Sequence, residues 1–272
     1  MSSKVMKSFI YLAAALTFGS LFFIIGFMLI KGLPHLTASL FSWKYTTNNV
    51  SLLPALLTTF MVVGLTLLIA TPIGVFTGFY LVEYAKKSNK VVGLIRMATD
   101  TLAAIPSIVY GLFGMLFFVT FLQFQYSLLA GVLTAVMMIL PLIIRSTEEA
   151  LLSVNDSLRQ ASFGLGAGKL RTIFKVVLPV AMPGILSGVI LASGRVVGET
   201  AALMYTMGTS TNLPDSLFSS GRTLALHMYV LSSEGQHVNE SYATGVVLIL
   251  IVLIINGIST YLSSRLTKET IK

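Results

Sequence analysis

The sequence predicts an all-α integral membrane protein with six transmembrane helices. Hydrophobic residues make up 55% of the 272 positions and charged residues only 10%, against about 25% charged in soluble domains. Such a chain cannot clothe its surface with polar groups in water and needs lipid around it. Apolar runs of about 20 residues, enough to cross a bilayer as a helix, recur along it. Basic residues gather in alternate connections between those runs, the bias that orients spans in a membrane.

Lys4 and Lys7 precede an apolar run from Phe9 to Ile30. A signal peptide has a shorter apolar core, about 7–15 residues, and a small-residue cleavage site. The run is therefore expected to be a retained first span. Positions 31–52 are mixed and carry Pro34, with Trp43 and Tyr45 as interface-type aromatics. The second span is 53–81, with Pro72 and Gly74 as kink points that neighbouring helices tolerate. A short charged loop covers 83–90. The stretch 91–122 is long for one span. Arg96 and Asp100 near its start, and Pro106, Gly111 and Gly114 in its middle, predict an interfacial or broken beginning and then the third span. A chargeless turn at 123–127 leads to the fourth span, 128–144. The polar segment 145–183 follows, then the fifth span, 185–207, which contains Arg195 and Glu199. Positions 208–242 are polar except for LALHMYVL, apolar enough to lie on or dip into the membrane. The sixth span is 243–262, and the short charged tail SSRLTKETIK ends the chain.

Six spans put both termini on one side. That side would carry Lys4, Lys7, Lys86, Lys87, Lys90, Arg96, Arg145, Arg159, Lys169, Arg171, Lys175, Arg265, Lys268 and Lys272. The other would carry only Lys31, Lys44 and Arg222. The positive-inside rule then makes the termini and the central segment cytoplasmic. The net charge of +8 thus reflects membrane orientation and not a nucleic-acid surface. The absence of cysteine excludes disulfides and thiolate sites. His35, His227 and His237 lie in separate polar segments without metal-ligand spacing and are expected to be solvent-exposed or interfacial.

The central segment is the longest polar interruption. Asn155, Asp156 and Ser157 are helix-capping types, so a short helix is expected from Ser157 to Phe163. Gly164, Gly166 and Gly168 break it, and a second short helix runs from Leu170 to Val177 until Leu178-Pro179 stops it. The apolar residues Leu158, Phe163 and Leu165 on this element call for a partner surface. The glycine cluster is not a nucleotide cradle. In GxxxxGK[ST] terms, Phe163 stands at the first Gly, Leu170 stands at the Ser/Thr, and no strand precedes it.

Gln160-Ala161-Ser162, then Gly166, then Val176-Val177-Leu178-Pro179 resembles the EAA loop of ABC-transporter permeases, with Gln for the leading Glu and Val for Ile. DTLAAIPSIVYGLFG (100–114), LPLIIRSTEEAL (140–151), GRVVGETAAL (194–203) and TLALHMY (223–229) resemble phosphate-specific permeases, the PstA type more than the PstC type. The resemblance covers roughly 55–260. It implies a type I ABC importer permease (MetI-like) core after an N-terminal helix and loop (1–52), a permease domain over 53–264 and a tail from 265. It also implies that Gln160, Ala161, Ser162, Phe163, Gly166, Leu178 and Pro179 couple the chain to a separate ATPase. ATP and magnesium would sit on that partner, with no cofactor on this chain. The implied partners are a PstC-like second permease, two PstB-like ATPases and an external PstS-like phosphate-binding protein.

Intramembrane charges mark candidate substrate contacts. Arg195 and Glu199 are four apart, as are Arg96 and Asp100, so each pair is expected to share a helix face and neutralise itself. A structural ion pair is an equal reading for Arg96–Asp100. Arg195 can fork hydrogen bonds to a phosphate oxyanion, with Glu199 holding it until the anion arrives. Thr200, Ser107 and Tyr110 offer neutral hydrogen bonds or ordinary packing. The competing readings are a permease for molybdate, tungstate or sulfate, and a self-contained secondary transporter or channel, for which no repeat between the halves is evident. An enzyme is disfavoured by the lack of HExxH, GxSxG or a His–carboxylate cluster.

Overall fold

The computed structural model describes residues 3–85 and 89–270, and every regular element among them is helical. Lys86, Lys87 and Lys272 of the basic set lie outside the described residues, as do the side chains of Lys4, Arg265 and Lys268.

Five helices or continuous helical runs are long and apolar enough to cross a membrane: Val5–His35, Leu53–Tyr84, Leu128–Leu152, Lys169–Val197 and Val238–Ile258. A bent pair makes the sixth when counted as one span. The helices are α1 (Ser3–Gly32), α2 (Leu53–Phe79, extended by a π-helical turn Tyr80–Tyr84), α3 (Lys90–Ala103) and α4 (Ser107–Gly114, extended by a π-helical turn Met115–Phe121). Next come α5 (Leu128–Leu152), α6 (Asp156–Gly164), α7 (Lys169–Thr172), α8 (Leu178–Val197), α9 (Ala201–Thr206), α10 (Leu224–Glu234) and α11 (Val238–Thr270).

The broken third span is found at the proline. α3 and α4 meet at 102°, because Pro106 has no N–H to donate and keeps Ile105 out of helical geometry. The Tyr110 hydroxyl reaches back across the break and donates to the Leu102 carbonyl at 2.8 Å. That carbonyl also accepts the Ile105 N–H at 3.1 Å, so the hydroxyl adds a side-chain tie across the break.

α5 is the hub. Ser127 caps it by accepting the Ala130 N–H at 3.2 Å. Leu128, Val132, Ala135, Met138, Ile139 and Ile143 place it in the main core with Val62, Ala192, Val196 and Leu203. Its neighbours approach closely because each offers a small-xxx-small pair. Gly74 and Gly78 of α2 lie on Ile143 and Thr147, and Gly184 and Gly188 of α8 lie on Ala150 and Ser146. A methyl group at any of the four would come within 3.0 Å of those side chains. Where the hydrophobic effect gives helices no reason to associate in lipid, such close packing is what holds them. α1 stands apart and touches the bundle near its end, where Phe27 meets Tyr242 edge-on at 5.8 Å.

Several expected boundaries change. α5 runs on through Arg145 to Leu152, so the first part of the polar segment completes a span. Leu178-Pro179 does not stop the helix that precedes it. A π-helical turn, Ile173–Val177, joins α7 to α8. A wider turn of this kind accommodates the missing N–H of Pro179 and the clash of its ring with the preceding turn. The fifth span ends at Val197, and residues 198–200 break it before α9.

The segment 208–242 is not a surface loop lying on lipid. Thr223 caps α10, and Leu224 packs with Leu40, Leu52, Ala55 and Val247. His227 is 0% exposed, contrary to the exposed or interfacial position expected of it. It lies edge-on to Tyr45, whose ring also receives the Arg222 guanidinium at 4.9 Å. Burial, with the Arg222 charge adding to it, lowers the His227 pKa from 6.5 to about 3. The folded state thus binds its proton far less readily than the unfolded chain. The stability this contributes is present above pH 6.5 and is lost progressively as pH falls towards 3. Between pH 7 and pH 5 the loss is about 2 kcal/mol. His227→Leu should flatten the acid limb of thermal stability over that interval; an unchanged limb would show that another group controls it.

Candidate functional site

The first part of the site is the polar element at one end of the bundle. Asn155 starts α6 by accepting the Ser157 N–H at 3.0 Å. The helix closes at Gly166, whose φ of +81° permits the Ala167 N–H to bond the Ser162 carbonyl at 3.1 Å. No residue of α6 is buried. Gln160, Ala161 and Phe163 are exposed, as are Leu158 and Leu165, the last at 90%. Ser162 points inward, its hydroxyl 2.8 Å from that of Thr172. Leu178 and Pro179 are half-buried at the start of α8. The expected coupling residues therefore differ in exposure and contacts. Gln160, Ala161 and Phe163 are exposed, Ser162, Leu178 and Pro179 are half-buried, and Gly166 makes the exposed turn.

The main anchor of this element was read in the sequence only as a basic residue. Arg159, 14% exposed, donates from Nε and Nη2 to Glu83, 9% exposed, at 3.2 and 2.9 Å. It also donates to the Leu151 and Val154 carbonyls at the end of α5 and to Asp156. One side chain thus ties α6 to the last turns of α2 and α5. Lys169 adds a cation–π contact 4.6 Å from the Tyr84 ring. The pairing across 76 residues leaves no local signature.

Around Gly166 there is open space; nothing lies within 4 Å of where a Cβ would be. Its requirement is conformational and not steric. A left-handed non-glycine residue costs about 1–2 kcal/mol. Gly166→Ala and Gly166→Leu should therefore impair ATP-coupled transport about equally, and Gly166→Asn less, because Asn tolerates that region. A much larger defect for Leu than for Ala would overturn this account.

The second part is the set of charges among the spans. Arg96 does not pair with Asp100. Its Nε donates to Glu148 of α5 at 2.6 Å, and Asp100 meets Arg145 at 3.4 Å, with Arg145 also held by Glu149 at 2.9 Å. α3 crosses α5 here, so cross-helix partners prevail over the i,i+4 spacing. These five residues line a cavity of about 310 Å³. Arg145/Glu149 is the i,i+4 pair that forms, and its spacing was legible in RSTEEAL.

Arg195 and Glu199 do not pair either. The helix ends between them. Glu199, 7% exposed, turns to accept the Ala202 N–H at 3.0 Å and so caps α9. Arg195 is half-buried and has no hydrogen-bond or ion-pair partner among the described residues. It faces a cavity of about 790 Å³ between α8 and α11, with Ser187, Asn256 and Thr260 as the other polar lining. Asn256 was missed, although a lone amide in an apolar span is a readable signal. Thr200 lines a different cavity of about 510 Å³, with Ile108 and Tyr205. Ser107 is half-buried at the first turn of α4, beside the break. Of the six expected substrate-path residues only Arg96 and Asp100 share a cavity, and only Arg195 presents a charge without a partner among the described residues.

An unpaired guanidinium within the bundle suits a passing anion, and an exposed helix–turn–helix at one end suits a docking partner. Residues 70–268 match the family described as "Binding-protein-dependent transport system inner membrane component". The probable ABC transporter permease protein YqgI of Bacillus subtilis is 34% identical over 281 aligned positions, which cover 95% of this chain and 94% of that protein. The phosphate transport system permease protein PstA of Haemophilus influenzae is 32% identical, covering 93% of this chain and 91% of that one. Among solved structures, a bacterial ABC transporter involved in the import of the acidic polysaccharide alginate superposes with a TM-score of 0.68. The match is 14% identical and covers 97% of this chain and 98% of that one; at that identity the likeness concerns the fold alone. With a multi-pass helical bundle and these matches, the chain belongs to the family of inner membrane components of binding-protein-dependent transport systems.

Proposed function

We propose that the chain is one permease subunit of an ATP-driven importer of inorganic phosphate. The observation that carries the reading is Arg195, a half-buried cation without a partner facing a cavity between two spans, in a chain whose relatives include proteins named as phosphate transport permeases. A guanidinium forks two hydrogen bonds to an oxyanion, and a site with one cation and otherwise neutral lining can release what it binds.

The partners follow from the same reading. A second, related permease completes the pore, two ATPase subunits hold ATP and magnesium, and an external binding protein delivers phosphate. The exposed residues Gln160, Ala161 and Phe163 of α6, with Leu158 and the following Leu165 nearby, dock on an ATPase, which puts that end and both termini in the cytoplasm, in keeping with the positive-inside count. The substrate path uses Arg195; Thr200, which lines a separate cavity, and Ser107, at the first turn of α4, stand apart from it. Arg96 and Asp100 serve the α3–α5 ion-pair lattice instead.

The test is co-purification of the complex, reconstitution, and measurement of ATP hydrolysis and uptake with the phosphate-loaded binding protein. Phosphate-stimulated ATPase and phosphate uptake are expected, with molybdate, tungstate and sulfate competing poorly. Preferential transport of one of those anions would reassign the substrate. Transport by the purified chain alone would make it a secondary transporter.

A further inference from the structure

Asn256 stands in α11 among Val252, Leu253, Ile254, Ile255 and Ile258. An amide at such a position is normally kept for an interhelical hydrogen bond or for function. Asn256 makes no side-chain hydrogen bond to a described residue, and it lines the cavity of about 790 Å³ that Arg195 faces. Eight residues, about 12 Å of helix, separate Arg195 from Ser187 on α8. The same length separates Val252 from Thr260 on α11, and all four line that cavity. As spans on either side of one intervening segment, α8 and α11 run antiparallel. The cavity is therefore a cleft with Arg195 and Val252 at one end, Ser187 and Thr260 at the end nearer α6, and Asn256 between them.

We infer that Asn256 binds the transported anion on its passage from Arg195 towards the α6 end, and that it favours an oxyanion carrying a proton. A carboxamide offers N–H donors and a carbonyl acceptor together. Hydrogenphosphate and hydrogenarsenate present acceptor oxygens and one O–H donor; sulfate at neutral pH presents acceptors only. A site that accepts a hydrogen bond from its ligand discriminates strongly against an analogue lacking that proton, whose binding leaves the acceptor unpaired. Arg195 provides the charge common to all these anions, and Asn256 reads the proton. The inference rests on the phosphate reading above and adds to it the residue that reads the anion's chemistry.

The test uses the whole complex in proteoliposomes, with phosphate-loaded or arsenate-loaded binding protein on the receiving side and ATP on the other. Asn256→Leu should lower uptake of both anions about tenfold while ATP hydrolysis stimulated by the loaded binding protein is retained, so that ATP used per anion rises by the same factor. Asn256→Gln, which keeps the amide, should recover part of the uptake. In the complex without binding protein at pH 7, phosphate should raise the thermal midpoint more than sulfate does, and Asn256→Leu should make the two anions equal. Native uptake by Asn256→Leu overturns the inference, as does a joint loss of assembly and ATPase activity, which marks a packing role. Equal shifts by phosphate and sulfate in the native complex overturn the reading of the proton. Failure of the native complex to carry phosphate at all defeats the functional reading instead, a result distinct from each of these.

Discussion

Arg195→Gln is expected to reduce phosphate uptake about a hundredfold or more, with assembly and ATPase docking intact. A hydrogen bond to a charged group contributes about 1.5–3 kcal/mol, and the attraction of unit charges in a partly shielded site is about 4 kcal/mol at contact distance. Both are lost together when the guanidinium becomes an amide. Arg195 makes no hydrogen bond or ion pair to a described residue; the variant should therefore fold and assemble. Arg195→Lys should retain part of the uptake, keeping the charge but not the fork. Glu199 supplies the contrast. Its carboxylate caps α9, and Gln presents an oxygen to the same N–H, so Glu199→Gln should transport close to the native rate. The measurement is initial uptake in reconstituted vesicles. Near-native uptake by Arg195→Gln sinks the assignment, and a collapse in Glu199→Gln would restore a direct role for that charge.

Arg159→Met should disconnect the α6 element from the bundle. Arg159 and Glu83 are both largely shielded from water, and removing one partner of such a pair leaves the other charge buried at a cost of about 3–5 kcal/mol. Two carbonyls at the end of α5 lose their donor in the same step. The expected phenotype is weak retention of the ATPase on purification and little transport. Replacing both partners with apolar residues, Arg159→Met with Glu83→Leu, should be milder than Arg159→Met alone, since no orphaned charge remains. If Arg159→Met retains its ATPase and transports like the native chain, the latch has no functional weight. If the double replacement is worse than the single one, the cost lies in something other than the buried charge.

The α6 element was the most legible part of the site. Capping residues at 155–157 and glycines at 164–168 act within a few positions, so the positions of α6 and its turn follow from neighbouring residues alone. The broken third span was equally readable, because Pro106 acts on its own backbone and on that of Ile105. The ion pairs were not. Spacing of four residues suggested Arg96–Asp100 and Arg195–Glu199, whereas α5 supplies the partners of the first two and a helix end separates the others. His227 illustrates the same limit: within a polar-looking segment nothing marks it as the residue that the packing of α10 would bury.

The sequence by itself determined that the chain is helical, that it crosses a membrane, how many spans its apolar runs support, and that one polar helix–turn element interrupts them. These follow from hydropathy, charge and capping, which are sums or short-range terms that need no knowledge of the neighbours. Only the tertiary structure decided which charges are paired, that Arg195 is left unpaired among the described residues in a cavity it shares with Asn256, and that Arg159 anchors the α6 element. Those outcomes depend on how closely α2 and α8 approach α5 through their glycines and on where Pro106 and the break at 198–200 turn the chain. A pair of charges is satisfied by whatever lies within a few ångströms in space, and helix crossings bring together residues that are far apart in the chain.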